Sequence, residues 1–302
     1  MAGFIADISV FLPPSLHTPV ESQKRVTCWK YECAPIGGHT DEEIELSENW
    51  KSEHNALSQN LAHSLTINGE LGDMLSAFLY AAYVNKVPLL IAGPAGYEVA
   101  DVIAASIHAS NAGHLWIGNE PSNNIAEEIA KYDEIVISVQ NMFGKGWHDE
   151  LPQSLSKLKK QIIWSHPYVE DIAMEPKGLF NYMLPVLSEC FVGSLPALEM
   201  WPSKRIDGFN AYASTKNLPL KVSAFKKLKL SKLLTNRLMH VLSDAKIIFD
   251  QPAKEKDMEI MLGLLPLCVV TGQLDILKEA IETESGISST VKTEVMRYIE
   301  EE

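Results

Sequence analysis

"VPLLIAGPAGYEVADVIAAS", residues 87–106, decides how the rest of the chain is read. An apolar run of strand character meets a glycine turn at Gly93–Gly96, and a helical pattern follows. The first N–H groups of a helix are unpaired and carry partial positive charge, so a strand–turn–helix of this kind can hold an anion. A phosphate-binding loop adds a Lys for the β- and γ-phosphates and a Ser or Thr for Mg²⁺. No lysine stands in this loop. It is a working nucleotide site, a decayed one, or only a tight turn.

Outward from the loop, strand-like and helical patterns alternate. After "VPLLIAG" and "EVADVIAASIHAS" come the strand "GHLWIG" and the helix "SNNIAEEIAKY". The strand "DEIVISVQN" and the helix "DELPQSLSKLKK" follow, then the strand "QIIWSHP" and the helix "GLFNYMLPVLSE", with "CFVGSLP" as a fifth strand. Apolar strands alternating with helices predict an α/β fold, a parallel sheet with helices on both faces. Beyond about Pro202 the pattern turns helical: "AFKKLKLSKLLTNRLMHVLSDAKIIF", "DMEIMLGLLPLCVVTGQLDILKEAIETES" and "STVKTEVMRYIEEE". Before the sheet lie the strand-like "RVTCWKYECAPI", an acidic stretch "GGHTDEEIELSENWKSE" expected to be a solvated face, and helical spacing from Ser58 to Val84. The expected division is an N-terminal segment 1–85, an α/β core 86–202 and a helical unit 203–302.

The 302 residues are long enough for one large domain or two, and 46% hydrophobic with 22% charged is ordinary soluble composition. A net charge of −13 argues against nucleic acid as a main ligand, because phosphate contacts need surplus Lys and Arg. No apolar run is long enough for a membrane span, and the first residues lack the basic start of a signal peptide. Cys28, Cys33, Cys190 and Cys268 form no metal or disulfide spacing, which fits buried thiols in a cytoplasmic protein.

At eight positions the loop resembles that of the AAA+ ATPases, Gly-Pro-Pro-Gly-x-Gly-Lys-Thr, which here reads Gly93-Pro94-Ala95-Gly96-Tyr97-Glu98-Val99-Ala100. Gly93, Pro94 and Gly96 match, whereas Glu98, Val99 and Ala100 replace the third glycine, the lysine and the threonine. The resemblance implies a parallel sheet followed by a helical lid, and residues 86–300 show that order. It implies an Asp-Glu pair at the end of the third strand, where this chain has Gln140 and Asn141. It also implies a polar sensor at the end of the fourth strand, where Ser165 and His166 stand, and a lid arginine, for which Arg237 is the candidate.

Charge separates the readings. Glu98 and Asp101, expected in the first helical turn, favour the helix dipole but repel a triphosphate. Hydrolysis is therefore not expected. The expected function is that of a catalytically inactive AAA+-like module, a structural or protein-interaction component of a larger assembly, with no cofactor and with a protein partner or self-assembly. The alternative is a sensor holding ATP, ADP or another anion through the backbone of Gly93, Ala95, Gly96 and Tyr97.

Other motifs are weaker. A dinucleotide site would want Gly-x-Gly-x-x-Gly, and only Glu120 is placed to meet a ribose hydroxyl. The nine histidines show no metal spacing, and Ser194 in "CFVGSLP" lacks a nucleophile elbow's second glycine. Lys221, Lys226, Lys227, Lys229, Lys232 and Arg237 gather in one short stretch, either a solvated helix face or a surface for an acidic partner.

Overall fold

The computed structural model describes residues 28–32, 49–67, 69–93, 95–108, 112–121, 134–139, 161–166, 168–173, 175, 177–194 and 218–300. In chain order the elements are β1 (Cys28–Glu32), α1 (Trp50–Ser64), β2 (Thr66–Ile67), α2 (Gly69–Val84), β3 (Leu89–Ala92), α3 (Gly96–His108), β4 (Ala112–Pro121), β5 (Glu134–Val139) and β6 (Gln161–His166). Then follow α4 (Val169–Ile172), β7 (Leu184–Leu187), β8 (Val192–Ser194), α5 (Lys232–Phe249), α6 (Glu255–Glu259), α7 (Leu265–Thr271), α8 (Leu274–Thr283) and α9 (Ser289–Glu300).

The fold is α/β. Six strands form one sheet in the order β1-β4-β5-β6-β3-β7. The five from β4 to β7 run parallel, and β1 closes one edge antiparallel to β4. All four residues of β3 are buried, as a strand covered on both faces requires. β3 lies between β6 and β7, with Ala92 opposite His166 on one side and Leu187 on the other. The carboxyl ends of the three strands therefore meet at the Gly93 turn. α3 packs across β3, β5 and β6, while α5 and α7 pack against β7.

The fifth parallel strand is Leu184–Leu187, inside the stretch "GLFNYMLPVLSE" expected to be helical. Only a 3-10 turn, Lys177–Asn181, forms there. A four-residue apolar run has no period to distinguish strand from helix, and pairing to β3 decides it. "CFVGSLP" supplies β8 instead, which pairs antiparallel with β2 in a separate two-stranded sheet. β2 also breaks the helical spacing before Val84 into α1 and α2. β4 reaches Pro121, so Glu120 lies within a strand rather than after one.

One hydrophobic core runs through α1, α2, the sheet and the C-terminal helices, from Leu57 through Ile91 and Leu262 to Val295. The segment Glu255–Thr271 is helical throughout, and Ile260–Leu264 takes a π turn just before Pro266. Proline has no N–H and its ring crowds the carbonyl four residues back, so a widened turn accommodates it.

Several polar groups inside this core are paired. Glu259, wholly buried, accepts the N–H groups of Lys221 (2.8 Å) and Val222 (2.7 Å) and the ammonium of Lys246, itself 3% exposed. Asp257 accepts the Ser288 N–H at 2.9 Å. Asn60 donates to Ser106 Oγ at 2.9 Å, joining α1 to α3. Asn85 donates to Asp244 at 2.7 Å, joining α2 to α5.

The acidic stretch before α1 is not wholly a solvated face. Glu53 is completely buried and accepts the Tyr80 hydroxyl. Burial and this carboxylate both raise the Tyr80 pKa. Beside it, His54 Nε2 lies 3.1 Å from Ser76 Oγ, and burial lowers the His54 pKa from 6.5 to about 4.

That depression predicts an acid-sensitive stability. Above pH 6.5 the His54 ring is neutral in both the folded and the unfolded chain. As pH falls from 6.5 towards 4, the unfolded chain binds a proton that the folded chain refuses. Stability then drops by up to about 1.4 kcal/mol per pH unit. Urea titrations across this window are expected to show a shallower slope for His54→Gln than for the parent chain. Equal slopes would sink the assignment. Glu284 acts lower: the Lys256 ammonium at 2.7 Å and the Ser223 N–H at 2.7 Å hold its carboxyl at about 2. Its contribution is complete above 4.5 and is lost as pH falls towards 2.

Candidate functional site

In an open parallel sheet the place for a ligand is beyond the carboxyl ends of the strands. β3, β6 and β7 converge there on Gly93. The turn requires glycine twice. Gly93 has φ +109°, a region that side chains other than glycine avoid, and a Cβ on it would stand 2.8 Å from Ser188 Oγ. Gly96 opens α3 so close to β3 that a Cβ would stand 2.6 Å from the Ile91 carbonyl oxygen.

The N–H groups offered to an anion are partly spent. Gly93 donates to the His166 carbonyl at 2.8 Å, and Gly96 donates to the Gly93 carbonyl at 3.0 Å. Gly93, Ala95 and Gly96 are buried. Tyr97 lies in the first turn of α3 beside Glu98. Asp101 falls in the second turn, not the first as expected, because the helix begins at Gly96. Val99 and Ala100, at the lysine and threonine positions of the resemblance, are fully buried in the hydrophobic core.

Ser165 and His166 end β6 beside the loop and are 6% and 3% exposed. His166 Nε2 lies 3.6 Å from Glu175 Oε1, and neither ring nitrogen makes a hydrogen bond among the described residues. Arg237 is elsewhere: its guanidinium donates to the Asn181 carbonyl at the 3-10 turn before β7. Partial burial lowers its pKa. Gln140 and Asn141 lie outside the described residues, although β5, the strand leading to them, is formed.

Residues missed in the sequence close the site from the β7 side. Ser188 donates to the Ala92 carbonyl at 2.8 Å. Its neighbour Glu189 accepts the Tyr298 hydroxyl, and Cys190 Sγ lies 3.4 Å from the same oxygen. The turn Ser188–Cys190 thus ties the Gly93 loop to α9. Burial raises Tyr298 and pushes the Cys190 thiol up to about 12, so Cys190 is a packed, protonated thiol. Cys268 is likewise buried and pushed up to about 12. Reading Leu184–Leu187 as a strand would have placed Ser188 at a carboxyl end, beside the loop.

The arrangement can close a turn and bind the C-terminal helices to the sheet. Among the described residues no group of His, Cys, Asp and Glu is placed to hold a metal. A cleft of about 400 Å³ lies away from the loop, between Trp50 and His54 of α1 and Ile247 of α5. No described helix is long and apolar enough to cross a membrane. Neither a family model nor a curated protein matches the chain.

Proposed function

We propose that the chain is a catalytically inactive AAA+-like module that serves as a structural or protein-interaction component of a larger assembly. The observation that carries this reading is the burial of Val99 and Ala100 in the core. At those positions an AAA+ ATPase presents its lysine and threonine to nucleotide. Here the helix turns core residues inward, and the loop spends the Gly93 and Gly96 N–H groups on its own chain.

The sheet order also favours this reading over a dinucleotide site. In the doubly wound dinucleotide fold the first strand is flanked by the second and the fourth. β3 is flanked instead by the fourth and fifth parallel strands, β6 and β7. That order brings Ser165 and His166 to the loop, where the resemblance wants a sensor. The helices after residue 217 follow the sheet in chain order, as the lid of the resemblance does. The cytoplasm is the compartment that fits the free, buried thiols of Cys190 and Cys268.

Calorimetric titration with ATP and with ADP, each with and without Mg²⁺, is expected to give neither heat nor a thermal shift at millimolar nucleotide. Saturable binding would replace the inactive module with the alternative, a sensor that holds phosphate by backbone alone.

A further inference from the structure

The chain carries 39 acidic and 26 basic residues, yet no Asp or Glu occurs between Asp207 and Asp244. Six of the basic residues fall within Lys221–Arg237. Three of them have work inside the molecule. Lys221 pairs with Glu255 at 3.0 Å, Lys227 pairs with Glu279 at 2.5 Å, and Arg237 holds the Asn181 carbonyl. Lys226, Lys229 and Lys232 are exposed, and no described carboxylate pairs with them. They form a basic lip leading into α5.

The lip is placed against local stability. Ser231 caps α5 through the Leu234 N–H, and Lys232 is the first residue of the helix. The first turn contains no acid, so a cation sits at the positive end of the helix dipole. Next to it Leu233 is 47% exposed, one of the two large hydrophobic side chains left in solvent among the described residues. A cluster of cations around an exposed leucine is suited to an acidic surface with an apolar patch.

Such a surface adjoins the lip. On α8, Asp275, Glu279 and Glu282 recur at helical spacing and are exposed. The Lys227–Glu279 pair spans lip and stripe within one molecule, with both side chains about half exposed. Exposed pairs contribute little and exchange partners at little cost. A basic patch beside an acidic one is self-complementary about a two-fold axis: each lip meets the other copy's stripe. Elsewhere two copies approach with −13 facing −13, and like charge opposes contact.

We propose that Lys226, Lys229, Lys232 and Leu233 form one half of a two-fold interface with a second copy of this chain, the other half being Asp275, Glu279 and Glu282 on α8. The proposal rests on the assembly reading above and names the surface it uses. Sedimentation equilibrium of the full chain without nucleotide tests it. At about 0.05 M salt the parent chain is expected to dimerise, with a dissociation constant at least about tenfold weaker at about 0.5 M, where the Debye length is a few ångströms. The triple variant Lys226→Glu, Lys229→Glu, Lys232→Glu is expected to be monomeric and to melt no lower than the parent, since an acid at the start of α5 favours its dipole. Mixing it with a chain carrying Asp275→Lys and Glu282→Lys is expected to restore association in a 1:1 complex. Leu233→Asp is expected to weaken the dimer without touching a lysine. A parent chain that stays monomeric at low salt would overturn the interface. So would an oligomer that the triple variant leaves unchanged, but that oligomer would leave the assembly reading standing. Nucleotide binding is judged by the calorimetry alone.

Discussion

Glu259→Ala is expected to lower unfolding free energy by about 3–5 kcal/mol, the usual cost of breaking a buried ion pair by removing one partner. Two effects add. The Lys246 ammonium loses its close carboxylate and, among the described residues, keeps the Pro219 carbonyl at 3.3 Å and Glu255 at 4.0 Å. The Lys221 and Val222 N–H groups lose their shared acceptor, and a buried donor left unmet costs about 1–3 kcal/mol. Glu259→Gln keeps one acceptor oxygen and is expected to cost less. Adding Lys246→Met to Glu259→Ala removes the stranded charge, so the double variant is expected to recover part of the loss. Urea unfolding of the four chains measures all of this. A loss below about 1 kcal/mol for Glu259→Ala would mean that the segment before α5 is not held by this carboxylate.

Gly93→Ala and Gly96→Ala form the second large pair. At Gly93 the alanine must adopt φ +109°, a strain of about 1–3 kcal/mol, and its Cβ must displace Ser188 Oγ from 2.8 Å. At Gly96 the obstacle is the backbone of Ile91, whose oxygen and carbon would lie 2.6 and 3.3 Å away. Overpacking of this kind costs about 1–3 kcal/mol, and β3 cannot retreat while paired on both sides. Gly178→Ala is the control, because nothing lies within 4 Å of its Cβ position. Thermal unfolding is expected to rank Gly93→Ala lowest, then Gly96→Ala, with Gly178→Ala within about 0.5 kcal/mol of the parent. Equal melting of all three would contradict a turn packed this tightly. In the Gly93→Ala chain, proteolysis near α9 is expected to quicken as well, since Ser188 and Tyr298 belong to one continuous set of contacts.

These results bear on what the loop is for. A turn whose glycines serve the close approach of β3, α3 and Ser188 needs no ligand to explain them. The same glycines in an open cradle would tolerate alanine better in the absence of nucleotide, because no protein atom would occupy the space.

Local chemistry alone determined a good part of this protein. The apolar runs at residues 134–139 and 161–166 read as strands from their character and length, and the shorter run at 89–92 does so because a glycine turn follows it at Gly93. The helix after Gly96 follows from its spacing, and the loss of the lysine and threonine is written in Glu98-Val99-Ala100. The tertiary structure decided whatever depended on a distant partner. "LPVL" became the fifth strand because β3 had an unpaired edge, and no period within four residues could announce it. Glu53 left the acidic face because Tyr80, 27 positions away, offered its hydroxyl in the core. Ser188, Glu189 and Tyr298 came to the loop only once β7 was in place, since no spacing in the chain relates residue 188 to residue 298. Periodicity is a property of neighbours. Burial and pairing belong to the assembled core, and in this chain they settled which residues surround Gly93.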